Sequence, residues 1–276
     1  MRAAVFYGHI VHAAQERGAS IEETLAWARS LGFEGVEVDG DRGYDADELA
    51  DMLERTGMAC SSIYSIYSWN EDPQDLHGLA HLELAEKLGA RFVMPIPGFY
   101  TSDDPAVRAQ ELERMVAGMA ALTDEALARG IQPVIEDYDL NTSPISTIAG
   151  MQAFTDAIPG LMVALDTGNF RYSAEDVLDA YDAFRPRIRH AHLKDRLLVP
   201  EITPELDRLQ GKPLVALDGQ VMYSCAVGSG QMPIAQVLER LAADGYDGWV
   251  TAEFFNSADY TATIERSAAW LADRLG

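Results

Sequence analysis

The stretch Arg129-Gly130-Ile131-Gln132-Pro133-Val134-Ile135-Glu136-Asp137 decides how the chain reads. A glycine ends an amphipathic helical pattern, a short and mostly apolar run follows, and two carboxylates close it. Glycine at such a place takes the left-handed conformation that stops a helix at low cost. An apolar run without polar alternation is a strand covered on both faces, as in a parallel sheet. Similar glycine turns stand at Ser30-Leu31-Gly32-Phe33, Lys87-Leu88-Gly89 and Asp244-Gly245-Tyr246, each before another β-rich run.

Working outward, strands are expected at 2–7, 34–38, 59–64, 92–95, 132–136, 161–165, 188–193 and 248–253. Helices are expected near 20–31, 46–56, 73–89, 104–129, 145–156, 174–186, 231–244 and 259–275. In 104–129 the residues Val107, Leu112, Met115, Val116, Met119 and Leu122 build one apolar stripe at helical spacing. Strand–helix alternation gives a parallel sheet, open or closed. Eight units in 276 residues favour a single α/β domain over 1–276, closed as a (β/α)8 TIM barrel. An open nucleotide-binding sheet would want a glycine-rich phosphate turn after its first strand, and Gly8-His9-Ile10 supplies none. One connection breaks the rhythm. Residues 196–230 are expected as a long loop with Pro200, Pro204 and Pro213, either a lid over the rim or a subunit contact.

Composition narrows the possibilities. A hydrophobic share of 48% supports a large core, yet no eighteen-residue apolar run offers a membrane span. The start, Met-Arg-Ala-Ala-Val-Phe-Tyr-Gly-His, lacks the apolar core of a signal peptide. Two cysteines, Cys60 and Cys225, make neither a disulfide framework nor a thiolate metal cluster, so a cytoplasmic location is expected. The net charge of −23 repels phosphate backbones and anionic membranes, which excludes nucleic acid and membrane surfaces as expected partners. Most of that acidity is expected to be solvated surface.

In a parallel barrel the functional rim lies at the strands' C-terminal ends. Four consecutive strands end there in Glu136-Asp137, Asp166-Thr167-Gly168-Asn169, His190-Ala191-His192-Leu193-Lys194-Asp195 and Thr251-Ala252-Glu253. Charges closing apolar strands are costly unless paired or bound to a cation. Taken singly, each glutamate reads as a rim salt bridge and His192 as a hydrogen-bonded core histidine. Together, Glu136, Asp166, His192 and Glu253 point to one divalent metal. Three carboxylates and an imidazole suit Mn²⁺ first, with Mg²⁺, Co²⁺ or Zn²⁺ as alternatives.

These motifs, with Gly32-Phe33-Glu34-Gly35-Val36-Glu37 and Val227-Gly228-Ser229-Gly230, resemble the sugar phosphate isomerase/epimerase superfamily of xylose-isomerase-like barrels. The resemblance covers nearly the whole chain. It implies that Glu136, Asp166, His192 and Glu253 are metal ligands, and that Glu136 and Glu253 act as an acid–base pair on a ketose. Two positions depart from the common pattern: Asp137 stands where relatives often have Asn, and Asn169 where many have His. His190, Asn169, Lys194, Glu37 and Trp69 are the expected substrate-binding residues. Tyr7, Tyr64 and Phe99 are further candidate walls, and Lys194 and Asp195 a candidate ion pair.

The expected function is therefore a metal-dependent isomerase or epimerase of a small-molecule sugar. A lyase or dehydratase of the same fold, including one cleaving a 3-oxo-C-glycoside, stands close behind. A non-catalytic sugar-binding barrel or enzyme subunit is a third reading. The endonuclease branch of the fold would need more than the six histidines present and a basic groove. Phosphorylated substrates lack an obvious binding cluster. By analogy with relatives a homo-oligomer is expected, with a different partner subunit as the alternative.

Overall fold

A computed structural model describes residues 1–75 and 78–275. The barrel strands are β1 (Arg2–Phe6), β2 (Gly35–Asp39), β3 (Ala59–Ile66), β4 (Phe92–Ile96), β5 (Gln132–Ile135), β6 (Met162–Asp166), β7 (Ile188–Leu193) and β11 (Trp249–Ala252). They close in the order β1-β11-β7-β6-β5-β4-β3-β2. Every pair in that ring is parallel. Each expected strand is found within a few residues of its expected bounds.

The outer layer comprises α1 (Tyr7–Arg17), α2 (Ile21–Ser30), α3 (Ala46–Thr56), α4 (Gly78–Leu88), α5 (Pro105–Ala128), α6 (Ile148–Ala157), α7 (Val177–Phe184), α9 (Ile234–Ala243) and α10 (Tyr260–Leu275). The helix starts are written locally. Ser20 and Glu23 form a reciprocal capping box on α2, and Asp104 caps α5, whose first residue is Pro105. Gly130 follows α5 with φ of +75°, the left-handed stop its sequence suggests. Positions 76 and 77 of the helix expected at 73–89 lie outside the described residues. Helix α1 is a correction, since no helix is expected before residue 20. The helix takes over Tyr7 from the strand expected at 2–7, and Tyr7, His9, Ile10, Ala13 and Ala14 are buried on one helical face.

Alternation along the strands splits the interior in two. Ile135, Val163 and Leu165 join the large apolar cluster under the helices, while Val134 and Ala164 join Met94 in a separate one inside the barrel.

The segment expected as a loop at 196–230 is folded. β7 runs on through Lys194 into β8 (Asp195–Val199), followed by α8 (Pro204–Gln210), β9 (Leu214–Val215) and β10 (Val221–Cys225). These strands form an antiparallel sheet in the order β8-β10-β9. Thr203 caps α8, and Gln220 closes the β9–β10 turn through Ala216. Among the described residues, no helix is long and apolar enough to cross a membrane.

Candidate metal centre and its cavity

Glu136 follows the last residue of β5, Asp166 ends β6, His192 lies one residue from the end of β7, and Glu253 follows β11. The register pairs Asp166 with His192, and His192 with Thr251, which brings the four side chains to one level. All four are buried. Each offers one ligand atom, and the four atoms lie within 4.8 Å of one another. Among the described residues, the charged contacts of Glu136 Oε1, Asp166 Oδ2, His192 Nδ1 and Glu253 Oε2 are with one another and with Lys194: His192 Nδ1 meets Glu136 Oε1 and, at 3.2 Å, Glu253 Oε2, and Lys194 Nζ stands 4.0 Å from Asp166 Oδ2. Three buried carboxylates thus share one imidazole and one lysine, an arrangement that is costly in a buried site unless a further cation completes it. A six-coordinate ion with bonds of about 2.1 Å holds its donors about 3 to 4.2 Å apart, so the group fits a divalent cation.

The rest of each side chain is fastened. Asp166 Oδ1 accepts the backbone N–H groups of Gly168 at 2.7 Å and Asn169 at 2.5 Å. A Cβ on Gly168 would lie 2.6 Å from the Lys194 carbonyl oxygen, so the Asp-Thr-Gly-Asn turn needs glycine there. Lys194 Nζ donates to Asn169 Oδ1 at 2.6 Å, pairs with Glu253 Oε1 and lies 4.0 Å from Asp166 Oδ2. Burial and the neighbouring carboxylates push Glu136 up to about 8, in spite of His192. Burial likewise raises Asp166 to about 6, against the pull of Lys194. Burial also opposes the charge on Glu253, but Lys194 and His192 outweigh it and bring that group down to about 2. The two glutamates therefore sit in unlike surroundings.

Of the five expected substrate contacts, Asn169 and Lys194 line the cavity above these donors, and Glu37, His190 and Trp69 do not. Glu37 is wholly buried, and its Oε2 lies 2.9 Å from Nε2 of both His190 and His192. It holds His192 from behind and does not line the cavity. His190 is held there too, 3.3 Å from Thr251 Oγ1. Trp69 is a core residue that stacks on Tyr67 at 4.1 Å and donates its indole N–H to the Asp75 carbonyl.

Among the candidate walls, Tyr64 lines the cavity. Tyr7 packs edge-on against Tyr44, and Phe99 against Tyr138. Phe6 takes the wall position instead, edge-on to His192 at 5.1 Å and to Phe255 at 5.0 Å. Asp195 does not pair with Lys194. Its oxygens accept the N–H groups of Arg196, Gly228, Gly230 and Met232 at 2.8 to 3.1 Å, fastening both ends of the folded segment.

The cavity above the donors measures about 380 Å³. The barrel supplies its floor, and the folded segment supplies Arg196, Lys212, Pro213, Leu214 and Ser224. Sequence reasoning missed Asp139, Arg196 and Lys212. Asp139 stands two residues beyond Asp137, a strand-end position that carried a usable signal, whereas nothing in the sequence places Lys212 at the rim.

A closed parallel barrel with metal-compatible donors at its C-terminal rim defines the class. The chain belongs to the xylose isomerase-like TIM barrel family, whose family model matches residues 25–274. It is 23% identical over 248 residues to an inosose dehydratase of Lacticaseibacillus casei, covering 85% of this chain and 82% of that one. An inosose dehydratase of Yersinia enterocolitica is 27% identical over 253 residues, with 85% and 82% covered.

Solved structures share the fold. The probable 3-DHS dehydratase AsbF of Bacillus anthracis superposes with a TM-score of 0.72 at 15% identity, covering 99% of this chain and 100% of that chain. A D-allulose 3-epimerase of Methylomonas sp. gives 0.73 at 16%, covering 99% and 98%. The IOLI protein with a bound zinc atom gives 0.74 at 15%, covering 100% and 98%. The curated relatives are thus enzymes named as dehydratases, and the structures that share the fold carry both dehydratase and epimerase names.

Proposed function

We propose that this protein is a divalent-metal-dependent lyase that dehydrates a keto-sugar or cyclic polyhydroxyketone. Glu136, Asp166, His192 and Glu253 would hold the cation, with Mn²⁺ the first to test. When bound, the cation polarises a carbonyl and its neighbouring hydroxyl and so acidifies the C–H beside them. The observation that carries the reading is the inequality of the two glutamates. Glu253 is tied to Lys194, whereas among the described residues Glu136 has no cationic side chain other than His192 against it.

Elimination needs a base on one side and a proton donor on the other. Glu136 removes the proton from the carbon beside the carbonyl. The Glu253–Lys194 pair faces the neighbouring carbon, where the hydroxyl leaves with a proton delivered by the Lys194 ammonium. A C–H and a C–OH bond break, a C=C bond forms, and water departs. The proton on Glu136 then restores Lys194 through solvent. The inosose dehydratase relatives support this order of preference, which reverses the one drawn from the sequence.

Epimerisation is the second reading. It is favoured by Glu136 and Glu253 lining the same cavity, where two carboxylates can serve one substrate carbon.

The deciding experiment incubates metal-loaded protein with inosose and with a panel of free ketoses in D₂O, followed by NMR. Loss of water to give an unsaturated or diketo product supports elimination. Deuterium exchange with inverted configuration and no loss of water sinks it in favour of epimerisation. No reaction with any ketone, with or without metal, leaves the sugar-binding role.

A further inference from the structure

The outer half of the cavity carries a charge pattern at odds with the rest of the chain. At a net charge of −23 the protein has three lysines, and two of them, Lys194 and Lys212, line this one cavity beside Arg196. The third, Lys87, pairs with Asp47. Lys194 is committed to the carboxylates below it. The other two cations are not fully used.

Arg196 is the second residue of β8, immediately after the Lys194-Asp195 step that leaves the barrel. Its side chain is 6% exposed. One terminal nitrogen donates to Ser224 Oγ at 3.2 Å and the other pairs with Asp139, while the buried Nε has no hydrogen-bond partner among the described residues. A guanidinium carries five N–H donors, and burying some of them unpartnered costs stability unless a ligand takes them up. Lys212 comes from the other side of the folded segment, between α8 and β9, and is exposed. Among the described residues it has no carboxylate within ion-pair reach. The remaining acid of this outer half, Asp39, is engaged by Arg42 at 3.0 Å.

We infer that Arg196 and Lys212 seat a carboxylate on the substrate, so that the molecule dehydrated is an acidic keto-sugar or keto-cyclitol. The inference rests on the function proposed above for the reaction, but the seat itself lies on the folded segment, apart from the metal ligands. A carboxylate matches the supply of donors. One lysine and a partly committed arginine neutralise a single negative charge, and Asp139 beside Arg196 would repel the second charge of a phosphate. The Ser224 hydroxyl, which lines the same wall, offers a further polar contact.

The test compares D-glucuronate with D-glucose, two molecules of one skeleton that differ in a carboxylate. Binding is measured by calorimetry on the full chain, metal-free and Mn²⁺-loaded. The expected result is binding of glucuronate about tenfold tighter than glucose in both states, a preference typical of one charge-assisted contact. Added salt should erode it. Lys212→Met and Arg196→Gln should each remove most of the preference while leaving glucose binding in place. Lys212 is exposed and bears no fold contact through its ammonium, so its variant tests the idea even where Arg196→Gln fails to fold.

Equal affinities, no glucuronate binding, or a preference that survives Lys212→Met and appears only with metal would overturn the inference. A glucuronate preference in a protein that turns over no ketone would support the seat and remove the elimination reading instead.

Discussion

Glu37 Oε2 stands 2.9 Å from His192 Nε2, so the imidazole is held by the nitrogen turned away from the cavity and presents Nδ1 to Glu136 and Glu253. The two residues come from β2 and β7, which are not neighbours in the ring and meet only across the barrel interior. A carboxylate behind a ligand histidine fixes its tautomer and ring orientation and raises its basicity. Burial opposes the charge on Glu37, but His192 and His190 outweigh it and keep it ionised. Glu37→Gln retains the shape and removes that charge. Metal affinity is expected to fall by about 10- to 100-fold, read by competition with a chelating dye. Unchanged affinity would make Glu37 a packing residue only.

Metal uptake should release protons. Glu136 and Asp166 are raised by burial to about 8 and about 6, and both must be ionised to serve as ligands. His192, which burial alone would lower, is raised well above its ordinary value by Glu136 and Glu37, so it too has a proton to give up. Affinity for Mn²⁺ is therefore expected to rise from pH 6 to pH 8. Calorimetry at pH 7 in buffers of different ionisation enthalpy should show proton release on binding. Proton uptake, or none, would contradict this charge state of the metal-free site.

The same shifts set the stability of the metal-free protein. A carboxyl whose folded pKa lies above its unfolded value stabilises the fold below the unfolded value and loses that contribution as pH rises through the folded one. For Glu136 the window runs from its ordinary 4.5 to about 8, and for Asp166 from 3.8 to about 6. Glu253 acts in the opposite sense, with stability present above 4.5 and lost as pH falls towards about 2. Metal-free protein should accordingly lose melting temperature between pH 6 and pH 8, and saturating Mn²⁺ should abolish the loss. A metal-free melting temperature that is flat or rising over that interval would argue against the buried, protonated carboxyls.

Much of the architecture is legible in the sequence because local chemistry writes it. Apolar runs such as Leu161–Leu165 announce strands covered on both faces, and Gly130 and Gly245 mark where helices stop. The strand-end donors are legible for the same reason, since a polar residue closing an apolar strand has one rim to go to. What escapes is whatever depends on distance across the barrel. Glu37 looks like a rim residue in sequence, but its place beneath His192 follows from ring closure. Trp69 carries the large flat face expected of a sugar platform, yet Gly118 on α5 leaves the space that buries it, with a Cβ there only 2.4 Å from the ring. The folded segment at 196–230 reads as a loop because its strands are short, antiparallel and separated by prolines, a pattern unlike that of the barrel.

Asp195 gives the last prediction. Its buried carboxylate gathers four backbone N–H groups from Arg196, Gly228, Gly230 and Met232, joining the start of the segment to its end. A Cβ at Gly230 would approach Asp195 Oδ1 to 2.3 Å, so the chain passes as close as glycine allows. Asp195→Ala leaves those N–H groups without an acceptor in a partly dry environment, at a cost of about 3 kcal/mol. The barrel's own strands do not use this carboxylate, so the damage should concentrate at the segment. Hydrogen exchange is expected to speed up at 196–199 and 221–232 before it does in β5 or β6, and limited proteolysis should cut first near 200–220. Because Arg196 and Lys212 ride on this segment, the preference for glucuronate should weaken in Asp195→Ala even where the four donors still bind Mn²⁺. Uniform loss of protection across the barrel would show instead that segment and barrel unfold as one unit.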